Sequence, residues 1–251
     1  MKLFDILAVL FVRYSQGGFE METNVEKNSG TATEKPSLFG VITSPSVQFE
    51  RIRERPAVWG PLLIVAAIII VGAVLQSLGT DYSELLKSQD TQGLSAEQME
   101  TVATITKFGG MAGAIIGGIA ALFIAPLIYW LCVKISGGVT TYKKMLSLGL
   151  FVSLISSLGL LVNGIVAFTT DVNPLYSTTS LAGIIPSDGA LASVLNTFEI
   201  FSIWSFVLLA IGLHKTGGIS KKAGWISAII LFGILVVFSL FSGLINSVAG
   251  A

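Results

Sequence analysis

Few residues of this sequence could carry chemistry, and nearly all of its ionisable residues lie outside its apolar stretches. Glu199 is the exception, because it stands one or two turns inside one end of an apolar stretch. An ionisable group costs on the order of 3 kcal/mol at the centre of a membrane helix, so Glu199 is a candidate functional residue. Asn163 lies toward the same predicted side and can hydrogen-bond across helices. Near an interface the Glu199 carboxylate can also simply reach water, and both interpretations stay open.

Catalytic and cofactor motifs are absent from the sequence. It contains no HExxH, no GxxxxGK[ST] and no GxGxxG motif, and it has one histidine, His214, and one cysteine, Cys132. These two residues cannot supply the three or four protein ligands of a zinc site. We therefore expect a protein that is not an enzyme and that uses no metal or cofactor.

Small residues recur at four-residue spacing in one apolar stretch, at Gly109, Gly113 and Gly117. This spacing puts them on one helix face, where another helix can approach closely in the membrane. Gly149 and Ser153 form a weaker stripe in the next stretch. The neighbour is either a helix of this chain, which is the simpler case, or a helix of a partner protein.

The elements that must position these residues are predicted from hydropathy. The chain is 53% hydrophobic and 12% charged, with a mean hydropathy of +0.81. Five apolar stretches have about the twenty residues that a helix needs to cross the hydrocarbon. The sequence thus predicts an all-α integral membrane protein, a bundle of five transmembrane helices at about 57–78, 109–133, 145–168, 194–213 and 224–248.

The distribution of Lys and Arg predicts the orientation of this bundle, because positive residues favour the cytoplasmic side. Arg51, Arg53 and Arg55 precede the first stretch, and the connections after the second and fourth stretches are rich in lysine. The connections after the first and third are acidic. We expect a cytoplasmic N-terminus and an extracytoplasmic C-terminus.

Three regions are predicted along the chain. Residues 1–20 are an extension ahead of the expected translation start at Met21, since the codons of Gly17 and Gly18 can form a ribosome-binding sequence. Residues 21–56 form a cytoplasmic tail that ends in a short helix near 44–55, and residues 57–251 form the membrane domain. The short helix either lies on the membrane surface through its arginines or only sets the topology.

Two segments resemble a known family, the bacterial Yip-type (Ypt-interacting-protein-like) domain. Residues 37–45 (SLFGVITSP) and the Gly-Pro-Leu-Leu at 60–63 resemble its start, and Gly137-Gly138 with residues 141–147 (TYKKMLS) is similar to its short cytoplasmic loop. The resemblance covers the chain from about residue 37 and includes a five-span plan. The acidic patch that eukaryotic members use with small GTPases has no counterpart in this sequence.

The resemblance implies a function that composition and spacing do not. It points to bacterial members that serve a MacB-type ABC exporter, and so to an accessory or assembly role in the cell membrane, in export of or resistance to a toxic peptide. The implied partners are the exporter permease, a membrane-fusion-type subunit and the lipid bilayer. Fifteen basic residues balance fifteen acidic ones, which argues against nucleic acid.

Two alternatives stay open. The protein is a stand-alone small-molecule or proton-coupled transporter if Glu199 carries a proton. It is a lipid-organising protein if the segment 44–55 binds the bilayer.

Overall fold

The computed structural model describes residues 34–87, 95–170 and 176–249, and this part of the chain is helical and contains no β-strand. The predicted start at Met21 and the tail up to residue 33 lie outside the described residues. The helices are α1 (Gly40–Thr43), α2 (Pro45–Glu54), α3 (Trp59–Gly79), α4 (Tyr82–Lys87), α5 (Ala96–Ile135), α6 (Tyr142–Thr169), α7 (Gly189–Thr197), α8 (Ile200–Lys215) and α9 (Lys221–Ala249).

Four of these helices, α3, α5, α6 and α9, are long and apolar enough to cross a membrane. They contain the predicted stretches 57–78, 109–133, 145–168 and 224–248 to within a few residues. The prediction of an all-α membrane protein is confirmed at this level. The helix α5 is longer than expected, with 40 residues.

The early start of α5 has a local cause in its sequence. The Ser95 hydroxyl accepts a hydrogen bond from the Gln98 N–H at 3.2 Å, and the Gln98 side chain accepts one from the Ser95 N–H at 2.8 Å. This reciprocal capping box satisfies two amide groups that a helix start leaves without partners. The polar residues from 96 to 108, which we expected in a loop, therefore form the first turns of α5.

The predicted span 194–213 is two helices rather than one. The segment is interrupted between Thr197 and Ile200, and α8 has only 16 residues. At 1.5 Å per residue α8 is about 24 Å long, shorter than the roughly 30 Å of hydrocarbon. The count of five transmembrane helices is therefore not confirmed.

The helix α6 is the centre of the bundle, since it contacts α3, α5 and α8. Its most apolar window is 67% buried, against 28% for α3 and 11% each for α5 and α9. Its closest neighbour is α3, where a Cβ atom on Gly164 would lie 2.6 Å from the Gly72 carbonyl oxygen. Two glycines thus allow the backbones of α3 and α6 to approach closely.

The helix α2 packs against the bundle through its apolar face. Phe49 and Ile52 are fully buried and belong to the same core as α6 and α8. The Thr216 hydroxyl donates a hydrogen bond to the Phe49 carbonyl at 2.8 Å, and Lys215 pairs with Glu50 at 2.7 Å. Phe49 and Ile52 therefore cover the end of α8, whereas Val47 of the same helix is exposed. The position of this segment on a membrane surface stays a prediction.

Candidate functional site

The break between α7 and α8 places Glu199 at the start of α8. Its side chain is buried, with 7% of its surface exposed, and Oε2 accepts a hydrogen bond from the Ser202 N–H at 2.7 Å. The backbone at the break pairs with the segment that precedes α7: the Leu181 N–H donates to the Phe198 carbonyl and the Ile200 N–H to the Thr179 carbonyl. These bonds satisfy peptide groups that the interruption would otherwise leave unpaired in an apolar region.

A hydrogen-bond network joins Glu199 to Asn163 on α6. The Thr179 hydroxyl donates to Glu199 Oε1 at 2.7 Å, and the Asn163 amide donates to Thr179 Oγ1 at 3.0 Å and to the Gly159 carbonyl at 2.9 Å. The Thr179 N–H in turn donates to Asn163 Oδ1 at 3.3 Å. Thr179 is therefore the link that brings the two predicted candidate residues into one site.

The network borders a polar cavity of about 330 Å³. The Ser177 N–H donates to Asn196 Oδ1 at 2.8 Å on one side of it. Within the described ranges, no lysine, arginine or histidine pairs with Glu199. The polar lining residues are Gln76, Ser156, Asn163, Ser177, Asn196, Glu199 and Ser202, and Gly159 and Leu160 complete the wall.

Tyr176 directly precedes Ser177, one of the residues that line the cavity. Burial, and to a lesser degree the negative charge of Asp188, raise the pKa of the Tyr176 phenol above its usual value. The phenol therefore stays neutral at physiological pH. Glu199 remains the one carboxylate among the residues that line the cavity.

The stripe of Gly109, Gly113 and Gly117, called here the glycine face of α5, lies on the outside of the bundle. All three residues are exposed, and a Cβ atom at any of them would meet nothing within 4 Å. The neighbouring Gly118 instead contacts Ile69 of α3, with a Cβ distance of 3.0 Å. The glycine face therefore has no partner helix among the described residues of this chain.

The second stripe behaves differently. A Cβ atom on Gly149 would lie 2.5 Å from Cγ of Pro126, so this glycine gives α5 close access to α6. Ser153 is half-buried one turn farther along α6. The stripe at Gly149 and Ser153 thus lies inside the bundle, where α5 and α6 pack.

The arginines of α2 lie apart from both features. Arg51 is half-buried and pairs with Glu34, whereas Arg53 and Arg55 are exposed. They surround the end of α2 that leads into α3. The structure does not bring them near the Glu199 cavity.

Comparison with known proteins identifies the family. Residues 39–243 match the model of the Yip1 domain. The chain belongs to the Yip1 domain family. It is 99% identical over 231 residues to a protein named "Membrane protein YknW" from Bacillus subtilis (strain 168), a match that covers 92% of this chain and 100% of that protein. No solved structure matches the chain.

The Yip1 domain of this chain contains both the Glu199 cavity and the glycine face of α5, since its matched range begins at α1 and ends within α9. The family resemblance predicted from residues 37–63 and 137–147 is confirmed. Sequence reasoning missed Thr179, Ser177, Asn196 and Ser202. Asn196 and Ser202 lie inside the predicted stretch 194–213, and Ser177 and Thr179 lie in the connection before it. Their only signal was a run of hydroxyl and amide residues on both sides of Glu199.

Proposed function

We propose that this Yip1-family membrane protein is a non-enzymatic partner protein that binds another membrane protein and helps an ABC exporter of the MacB type to assemble. The observation that carries the proposal is the open space around Gly109, Gly113 and Gly117. The expected partners are the exporter permease and its membrane-fusion-type subunit, in a bacterial cell membrane with the N-terminus of this chain in the cytoplasm.

The chemistry of the glycine face favours a helix over lipid as its neighbour. Helices associate in membranes by van der Waals contact, which is strongest where small residues let two backbones approach. The helix α9 is equally peripheral but presents bulky apolar side chains such as Ile230, Phe238 and Phe241, which suit contact with acyl chains. The glycine face of α5 lacks such side chains, so it is the surface that best fits a transmembrane helix of a partner.

The test is co-purification in mild detergent. Tagged protein should retain the exporter permease, and the double variant G113L/G117L should lose it, because two leucines would hold the partner backbone away. The matched control is I230A on α9, which changes an exposed apolar position without touching the glycine face. Permease recovery that is equal for the wild type, the double variant and the control would refute the proposal, provided that all three elute as folded protein.

One observation favours a second function, that of a stand-alone transporter. Glu199 is buried beside a polar cavity, and intramembrane carboxylates are common in proton-coupled carriers. A flux in liposomes that contain only this protein, abolished by E199Q and kept by E50Q, would establish that function. Folded wild-type protein that gives no flux in such liposomes with candidate substrates added would count against it.

A further inference from the structure

The cavity between α3, α6 and α8 carries a negative charge that no basic side chain neutralises. Glu199 is buried, and none of the Lys, Arg or His residues in the described ranges pairs with it. The N-terminus of α8 offsets part of this charge, since a helix dipole is equivalent to about half an elementary charge. A bound cation would neutralise the remainder.

The hydrogen-bond capacity of the carboxylate is only half used. Glu199 accepts one bond at Oε1 from Thr179 and one at Oε2 from the Ser202 N–H. A carboxylate offers about four lone-pair positions, so two remain. Gln76 also faces the cavity, and its side chain has no hydrogen-bond partner within the part of the chain that the structure describes. The site thus has spare acceptors on two of its walls.

The size and composition of the cavity select the kind of cation. A volume of about 330 Å³ is much larger than one metal ion needs and lies at the lower end of the range for small-molecule sites. No group of three or more His, Cys, Asp or Glu side chains could hold a metal ion anywhere in residues 34–87, 95–170 and 176–249. Gly159 and Leu160 supply an apolar wall beside the polar groups.

We propose that this cavity binds a primary ammonium group that carries a short carbon chain. An ammonium has three N–H donors, which match the spare acceptors of Glu199 and Gln76. Its chain would lie along Leu160. Two sources share this chemistry, namely a soluble amine and the headgroup of phosphatidylethanolamine.

The test uses the full-length protein in nanodiscs of phosphatidylglycerol, with n-butylammonium as the probe and calorimetry as the readout. Saturable binding is expected for the wild type. Butyltrimethylammonium, which has the same charge but no N–H donor, should bind at least about tenfold more weakly, because hydrogen bonds to a charged group are lost. Equal binding of the two probes would overturn the proposal.

Two variants locate the site. E199Q and Q76L should each weaken binding by about tenfold or more, and E50Q, which removes a carboxylate on α2, should bind as the wild type does. Gln76 lies outside the hydrogen-bond network at the break between α7 and α8. Q76L therefore tests the assignment of the site even if E199Q does not fold. Wild-type affinity in folded Q76L, or reduced affinity in E50Q, would overturn the assignment.

A second arm distinguishes the two sources. Nanodiscs that contain phosphatidylethanolamine are compared with nanodiscs that contain phosphatidylcholine, which differs only by methylation of the nitrogen. If butylammonium binds more weakly in phosphatidylethanolamine nanodiscs but not in phosphatidylcholine nanodiscs, the lipid headgroup is a ligand. If butylammonium binds equally in the two kinds of nanodisc, the ligand is a soluble amine. The proposal would be overturned if folded wild-type protein showed no saturable binding of butylammonium and retained no phosphatidylethanolamine on purification.

The cavity shares no residue with the glycine face of α5, so loss of amine binding and loss of partner binding are separable.

Discussion

The close approach of α3 and α6 predicts a large difference between two alanine substitutions that look alike in the sequence. Gly164 and Gly113 both lie inside long helices, and each gains about 1 kcal/mol of helix propensity when it becomes alanine. Only at Gly164 does the new Cβ meet a neighbour, the Gly72 carbonyl oxygen at 2.6 Å. The comparison of the two variants cancels the propensity gain and isolates the steric effect.

The magnitude follows from what must move. The Gly72 oxygen belongs to a helix backbone and cannot rotate away, so α3 as a whole must shift outward by several tenths of an ångström. A radial gap of about 0.5–1 Å forfeits roughly a quarter to a half of each dispersion contact along the interface. Overpacking of this kind costs about 1–3 kcal/mol. We therefore expect G164A to be less stable than G113A by about that amount.

The assay is equilibrium unfolding in mixed micelles, followed by helical circular dichroism as the denaturing detergent fraction rises. G113A should unfold at the same or a higher fraction than the wild type, and G164A at the same or a lower fraction than the wild type and clearly below G113A. Coincident curves for the two variants would show that α3 and α6 are not packed as described, and would refute the reasoning.

Two further predictions concern side chains that sequence reasoning did not single out. T179V should lower the free energy of unfolding by about 1–3 kcal/mol, because Glu199 loses a buried donor. T178V, at the neighbouring exposed position, should change it little. Equal midpoints for T179V and T178V in the micelle assay would contradict this prediction. T216V removes the hydroxyl that donates to the Phe49 carbonyl, which should lower the free energy of unfolding by no more than about 0.5–1.5 kcal/mol. Trypsin should cleave faster within α2 of this variant, and an unchanged cleavage rate would count against the prediction.

The membrane helices were predictable because their signal is a simple count of consecutive apolar residues. The start of α5 was also available in the sequence: Ser95 followed three residues later by Gln98 is a capping-box signature, but the acidic residues around it favoured a loop in our interpretation. Hydropathy averages over a window, so it reports that residues 96–108 are polar and not whether they are helical.

The break at Glu199 could not be derived from the segment alone. The residues 194–213 are apolar enough for one helix, and the interruption depends on pairing with residues 179–181, which belong to a connection with no regular pattern. The same connection supplies Thr179, which joins Asn163 to Glu199. Such tertiary partners have no local signature, and for this reason the sequence singled out both ends of the network but not its link.

Small-residue spacing likewise identified candidate faces but not their neighbours. Gly109, Gly113 and Gly117 have the more regular pattern and lie outside the bundle, whereas Gly72 and Gly164, which have no such pattern, make a close internal approach. Periodicity reports which residues share a face. Which faces meet depends on how the connections allow the helices to assemble.

The length of α5 bears on the depth in the membrane at which a partner helix would contact the glycine face. Its 40 residues are about 60 Å long, twice the thickness of the hydrocarbon. Tilts of up to about 40° cannot absorb that excess. With the span at the predicted residues 109–133, the turns before Gly109, about 20 Å in length, would extend out of the hydrocarbon as a continuous helix. The glycine face would then begin at the membrane surface and extend through one leaflet. A partner helix packed on it would be held in that leaflet and free to tilt in the other.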